Sequence, residues 1–406
     1  MLIEREAYMK RIRPFIGTEL IKVLTGPRRS GKSVMLELIR RELARQGVLQ
    51  AQMISYNFES LGNASLRTAE VLYEELRRRI AQTNGKVYLF FDEIQEVAGW
   101  ERCVNSCRVD FDCDIYITGS NATLLSGELA TFLAGRYVEI VVYPFSFSEY
   151  LESRKGRTER IEPKKDFQTF LRAGGMPFLS QFADESEAAR QYLKDIYSSV
   201  VLKDIIKRNS IRDVDLLERI ITYLMANIGR PFTGRSIARY FKSEGRNVSV
   251  DTVLNYVKGC CDSYLFSRIG RENVAGKKTL SVNEKYYIAD HGIREAMYGN
   301  NLRDIELTLE NVVCMELLRR GYHVAAGSVS EREIDFVATR GSSRLYVQVA
   351  YLLATPETAE REFGVYDAVR DNYPKYVVSM DELDLSRNGI KHKNISDFLL
   401  MEEYDV

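Results

Sequence analysis

Apolar residues follow two rhythms along this chain. Apolar-rich runs at Leu20-Ile21-Lys22-Val23-Leu24, Met53-Ile54-Ser55-Tyr56-Asn57-Phe58, Val87-Tyr88-Leu89-Phe90-Phe91 and Ile115-Tyr116-Ile117 predict strands, and the unbroken third run predicts one buried on both faces, the signature of a parallel sheet. Helical spacing appears between them. It predicts a helix after Ser33 and another over Leu66 to Ile80, with Leu72, Leu76 and Ile80 on one face. Ahead of the first strand, residues 3–16 alternate charge and bulk like a short amphipathic helix that stops near Pro14. Alternating strands and helices define an α/β core.

The rhythm changes after residue 151. Residues 152–166 are charge-dense and aperiodic, which predicts a solvated connector. Phe167 to Leu171 and Tyr192 to Ile206 read as helices around the turn Gly174-Gly175-Met176-Pro177. A helix over Asp213 to Ile228 carries Leu216, Leu217, Ile220, Ile221 and Leu224 at helical spacing. Shorter ones cover Thr233 to Phe241 and Ser249 to Val257, the latter opening on the N-cap Ser249. Strands over Tyr264 to Ile269 and Thr279 to Ile288 follow, joined by a turn containing Arg271, Gly276, Lys277 and Lys278.

Three helices and a hairpin predict a winged helix-turn-helix. Its third helix is expected to bury Val250, Val253, Leu254 and Val257 and to turn Asp251, Thr252, Asn255, Tyr256 and Lys258 outward. The last segment predicts a helix over Leu307 to Arg320 and strands over Glu333 to Ala338 and Leu345 to Ala350. The expected division is 1–155 for the α/β core, 156–212 for a helical lid or connector, 213–290 for the winged helix and 291–406 for a further α/β domain.

Charge narrows the partners. Fifty-seven basic side chains balance 57 acidic ones, so no global field draws the protein to nucleic acid or anionic lipid. Local excess remains. Between Arg230 and Lys258, six cations (Arg230, Arg235, Arg239, Lys242, Arg246, Lys258) face two acids (Glu244, Asp251). That permits double-stranded DNA to bind through its phosphates, and the alternative is a protein partner docked on the same module.

No apolar run approaches the roughly 18 residues needed to span a bilayer, and the first six residues lack a signal-peptide apolar region. A cytoplasmic protein with no membrane partner is expected. The six cysteines include no CxxC pair and the three histidines lie far apart, so Cys103, Cys107 and Cys113 read as small core side chains, with no structural metal and no disulfide.

The chemistry concentrates at Gly26-Pro27-Arg28-Arg29-Ser30-Gly31-Lys32-Ser33, which fits GxxxxGKS/T between a strand and a helix. Such a loop wraps a phosphate with its backbone amides, helped by the amino-terminal dipole of the following helix. Gly26 through Val34 are therefore candidate nucleotide contacts. Lys32 is expected to reach the β- and γ-phosphates, and Ser33 to ligate Mg²⁺. Asp92 and Glu93 close the third apolar run: Asp92 is the expected Mg²⁺ partner, and Glu93 the base for the attacking water. Asn121, in Thr118-Gly119-Ser120-Asn121, either positions that water and the γ-phosphate or caps the helix beginning near Ala122. No NKxD tetrapeptide is present, which favours ATP over GTP.

Taken in order, GPRRSGKS, YLFFDEIQ, ITGSN, Leu133-Ala134-Gly135-Arg136 and Tyr143-Pro144-Phe145-Ser146-Phe147-Ser148-Glu149-Tyr150 resemble the prokaryotic AAA+-type ATPases, and among them a group whose C-terminal half is a domain of unknown function. The resemblance spans essentially the whole chain. It implies a P-loop NTPase (AAA+-like) sheet with a helical lid, in which Gly174 to Pro177 close over adenine. It makes Arg136 a candidate arginine finger or sensor, within the chain or between subunits of an oligomer; the alternative is a surface arginine paired with a neighbouring acid.

The last segment resembles the restriction-endonuclease-type fold, where an acid closes one strand and an acid-x-lysine pair lies on the next. Asp335 fits the first place, but Gln348 and Ala350 occupy the others. Neutral ligands hold a hard metal poorly, so a catalytically inactive domain is expected, with Glu310, Glu331 and Glu333 the conceivable substitutes. The reading is an ATP-binding, ATP-hydrolysing switch or motor that couples nucleotide state to a nucleic-acid or protein partner. A non-catalytic, nucleotide-stabilised scaffold and an ATP-regulated DNA nuclease are the alternatives.

Overall fold

Strand β1 (Ile21–Thr25) is buried along its entire length, although its second residue is a lysine. The computed structural model describes residues 2–122, 133, 135–155, 160–182, 186–209, 211–274, 278–299, 301–329 and 332–404. Ala134, Gly276, Lys277 and Glu331, singled out above, lie outside them. Two compact units emerge: Met1–Tyr143 with Asp262–Tyr264, and Pro144–Cys261 with Leu265–Val406.

In the first unit, β1 belongs to a five-stranded parallel sheet in the order β2-β3-β4-β1-β5, with β2 at Met53–Asn57, β3 at Val87–Asp92, β4 at Cys113–Thr118 and β5 at Tyr137–Val141. Apolar cores on both faces explain the apolar-rich runs. On one face Val23, Leu89 and Phe91 pack with Leu72 and Leu76 of helix Ala69–Ile80 and with Trp100, Cys103 and Cys107 of helix Trp100–Asp110. On the other, Leu24, Phe90 and Tyr116 meet Met35, Leu36 and Ile39 of helix Lys32–Arg45 and Tyr8, Met9 and Ile12 of helix Glu6–Ile12. Consecutive strand residues point to opposite faces, so the inner strands are apolar at nearly every position, while edge strand β2 exposes Ser55 and Asn57. Lys22 is tolerated because its ammonium pairs with Asp114, which also accepts from the Gly17 N–H at 2.7 Å and the Tyr116 hydroxyl at 2.8 Å.

The second unit joins helices to a mixed seven-stranded sheet. Its order is β12-β11-β10-β9-β8-β6-β7: β6 Phe266–Asn273, β7 Lys278–Ile288, β8 His323–Val329, β9 Arg332–Arg340, β10 Ser343–Val349, β11 Lys375–Ser379 and β12 Lys391–Asn394. Helices Val214–Ala226, Gly234–Ser243 and Val250–Asp262 precede the β6–β7 hairpin. That hairpin does not stand free. β6 pairs in parallel with β8 from Gly270↔Ala325 to Asn273↔Ser328, so the expected wing is an edge of the larger sheet.

Two expectations need correction. Leu254 is 43% exposed, because helix Val250–Asp262 turns Val253, Val257 and Cys260 inward instead. The charged stretch 152–166 is not all connector: helix Phe147–Arg154 runs into it and helix Pro163–Ala173 begins within it. There Asp166 is buried, pairs with Arg154 at 3.2 Å and accepts from the Glu162 N–H at 2.8 Å. Gly174 and Gly175 form a packed crossing: a Cβ on Gly175 would lie 2.4 Å from the Phe145 carbonyl oxygen, and the Gly175 N–H donates to buried Asp290 at 2.7 Å. No helix among the described residues is long and apolar enough to cross a membrane.

Candidate nucleotide site

The carboxyl edge of the parallel sheet gathers the residues singled out for chemistry. β4 lies between β1 and β3, with Leu24 opposite Thr118 and Phe91 opposite Ile117, while Asn57 of β2 stands opposite Asp92. The loop after Thr25, the acids after Phe91 and the polar turn after Ile117 therefore share one edge, where ligands of open α/β sheets bind.

The loop itself depends on backbone freedom. Gly26 has φ 130° and lies so close to the next crossing that a Cβ would sit 2.3 Å from the Val142 carbonyl oxygen. Gly31 (φ 100°) opens helix Lys32–Arg45. Pro27 is buried, Arg28 reaches Glu59 at 3.7 Å, and exposed Arg29 adopts φ 66°. The Lys32 ammonium donates to the carbonyls of Gly26 at 3.0 Å and Pro27 at 2.9 Å, which holds it across the loop. The Ser30 hydroxyl oxygen is buried with no hydrogen-bond partner, and so is that of Ser120 beyond β4. Buried hydroxyls rarely go unmatched, and an anion's oxygens at this edge would satisfy both.

The acids are fixed by Thr118, which opens the Thr118-Gly119-Ser120-Asn121 turn. Its hydroxyl donates to Asp92 Oδ1 at 2.6 Å and accepts from the Glu93 N–H at 2.9 Å, so one side chain sets both carboxylate-bearing residues. Asn57 donates to the other Asp92 oxygen at 3.0 Å. Glu93 sits in the left-handed region at φ 54°, and its carboxylate accepts from Gln95. Burial pushes the Asp92 carboxyl above its ordinary range. Hydrogen bonds from Thr118 and Ser33 and the Lys32 charge oppose this, while the Glu93 charge adds to it. Ser33, Lys32, Asp92 and Glu93 are thus brought together. Ser33 and Asp92 are the donor pair that would hold a divalent ion, and such an ion would neutralise phosphate charge there. Asn121 is 3% exposed just beyond β4, on the same edge; the helix it was expected to cap lies outside the described residues. Val34 is 39% exposed in the first turn of the loop helix.

Arg136 is elsewhere. It precedes β5, whose Tyr137 is registered with Ile21, so it stands at the amino edge of the sheet while the phosphate loop leaves the carboxyl edge. A five-residue strand separates the two by about 16 Å, more than an arginine side chain spans. Its guanidinium donates to Asn105 at 3.3 Å. A finger or sensor role toward its own loop is corrected by this register.

A phosphate loop and paired acids on the carboxyl edge of a parallel sheet define the first unit as a P-loop fold of the AAA+ ATPase type, and residues 18–151 match the family model of the AAA domain. Residues 164–304 match a domain of unknown function, DUF8612. The chain is 36% identical over 400 residues to an uncharacterised protein of Haemophilus influenzae, covering 98% of this chain and 99% of that one. It is 30% identical over 367 residues to an uncharacterised protein of Methanocaldococcus jannaschii, covering 86% and 79%. The chain belongs to one family with these two proteins. Among solved structures, the Walker-type ATPase PABY2304 of Pyrococcus abyssi aligns with a TM-score of 0.48 at 14% identity, over 72% of this chain and 94% of that one.

Proposed function

We propose that this protein is an ATPase in which Gly26 to Val34 cradle the triphosphate, Lys32 compensates its charge, and Ser33 with Asp92 hold Mg²⁺. Glu93 activates the attacking water and Asn121 lies beside it. The observation that carries the reading is Thr118, whose single hydroxyl orients the backbone of Glu93 and one oxygen of Asp92 at the mouth of the phosphate loop. Facing away from its own loop, Arg136 can serve catalysis only at the nucleotide of a second subunit.

Nucleotide turnover in this reading drives a switch whose effector side is the three-helix module of the second unit. Exposed Arg235, Arg239 and Lys242 on helix Gly234–Ser243 favour duplex DNA as the partner. The test is ATP turnover with and without duplex DNA at several protein concentrations, for the wild type, Lys32→Ala and Glu93→Gln. Lys32→Ala is expected to lose ATP binding, and Glu93→Gln to bind ATP without releasing phosphate. Equal turnover in wild type and Glu93→Gln removes Glu93 from its role. Binding without turnover in the wild type favours a nucleotide-stabilised scaffold.

A further inference from the structure

The mixed sheet of the second unit contains a carboxylate cage with a cation already inside it. Lys285 of β7 is 3% exposed, and its ammonium lies 2.8 Å from Glu333, 3.0 Å from Glu310 and 4.0 Å from Asp335. Tyr287 donates its hydroxyl to the same Glu310 oxygen, and Arg271 binds the other oxygen of Glu333 at 3.0 Å. Burial lowers the proton affinity of Lys285, but the three surrounding carboxylates outweigh it and raise that affinity above the ordinary lysine value.

The resemblance of this segment to a nuclease-type fold implies a divalent metal at this place, and the donor set does not fit one. A hard cation needs anionic oxygens converging on a common point. Here the common point is the Lys285 nitrogen. The Gln348 amide is committed on both ends: its oxygen accepts from the Asp335 N–H at 3.1 Å and its nitrogen donates to Glu362 at 2.9 Å. The second Asp335 oxygen accepts from the Val349 N–H at 2.8 Å, and Ala350 supplies nothing.

We infer that Lys285 is the resident cation of this cage, standing in place of a metal, so that the module cleaves no phosphodiester and removing the ammonium converts Glu310, Glu333 and Asp335 into a divalent-cation site. Three carboxylates left together in a buried place repel one another, and a doubly charged ion relieves that repulsion as the lysine did. Glu333 and Gln348 also line an open cleft of about 920 Å³, which gives an aqueous ion a way in. None of these residues belongs to the nucleotide site.

The test uses the nucleotide-free full chain and Mn²⁺, with binding counted by electron paramagnetic resonance of free Mn²⁺ and stability followed by thermal unfolding. Lys285→Ala is expected to melt lower than wild type in chelator, to regain stability in Mn²⁺, and to bind one more equivalent of Mn²⁺ than wild type. The added Asp335→Asn substitution should abolish that gain. Lys285→Gln repeats the measurement if the alanine variant does not fold. A folded lysine variant that binds no additional Mn²⁺ overturns the inference. Wild-type Mn²⁺ binding, or Mn²⁺-dependent plasmid cleavage, that disappears on Asp335→Asn alone also overturns it, whatever the lysine variants do.

Discussion

The guanidinium of Arg5 donates to the carbonyl of Ser30 in the phosphate loop at 2.8 Å, and its other arm donates to the carbonyl of Tyr143 at 2.7 Å. Arg5 is 2% exposed, adopts φ 48° and lies over the Tyr8 ring at 4.6 Å. The amino-terminal segment is therefore a brace that ties the loop to the chain leaving β5. Arg5→Ala removes two hydrogen bonds from a charged donor to buried carbonyls, each worth about 1.5–3 kcal/mol. A lower melting temperature and weaker ATP binding are expected, with Arg5→Lys recovering part of both. Calorimetric titration with ATP checks this; wild-type affinity in Arg5→Ala means that the loop holds its shape without the brace.

Thr118 offers a sharper separation of binding from chemistry. Thr118→Val keeps the shape and removes the hydroxyl that Asp92 and Glu93 share. Because it touches the acids and not the loop, phosphate release should fall about 10- to 100-fold, the usual effect of losing a supporting hydrogen bond at a metal site. Nucleotide affinity without Mg²⁺ should stay near wild type, and Thr118→Ser should restore turnover. Single-turnover phosphate release beside nucleotide titration distinguishes this from a general loss of fold.

How much of this was legible before folding depends on the range of each interaction. The phosphate loop and the acids of β3 are local patterns, since adjacent residues carry both the backbone shape and the chemistry. Thr118 is legible as part of the ITGSN stretch, but its hold on Asp92 and Glu93 is not, because that arises from β4 lying between β1 and β3, a matter of strand order. The position of Arg136 has the same origin: the motif lies near in sequence, yet parallel register sends it to the far edge. Strand β5, with its Glu139, and β8, built from small residues such as Ala325, Ala326 and Gly327, carry too weak a pattern to read as strands. Lys285 carries no local signal, and only the pairing of distant segments surrounds it with carboxylates.

Acidity should gate the metal more than the nucleotide. Burial first, with the Glu93 charge adding to it, raises Asp92 above the ordinary carboxylate range. A raised folded-state value means that folding favours the protonated acid, and the stability this contributes at low pH is lost as pH rises through that value. Metal binding has the opposite sign, since only the carboxylate ligates. Affinity for Mg·ATP should therefore fall on acidification at a higher pH than for an ordinary aspartate, while ATP without Mg²⁺ responds less. Titrations across pH with wild type and Asp92→Asn check this: the variant should bind Mg·ATP weakly with a flat profile, and an equally steep profile in both excludes Asp92 as the group responsible.

The three-helix module makes the last prediction. Helix Gly234–Ser243 buries Gly234, Ile237 and Phe241 and leaves Arg235, Arg239 and Lys242 exposed, so these cations cost nothing to the core if removed. Arg246 is less available, being paired with Asp215. If the exposed cations neutralise phosphates, Arg235→Ala with Arg239→Ala should weaken duplex binding without changing the melting temperature. The slope of log affinity against log salt should become shallower by about 2, since each arginine removed leaves one phosphate to keep its condensed counterion. Weakening should be uniform across duplex sequences, since phosphate binding carries no base information. Unchanged affinity and slope would instead assign the module to a protein partner, for which exposed Leu254 on the neighbouring helix is a ready apolar anchor.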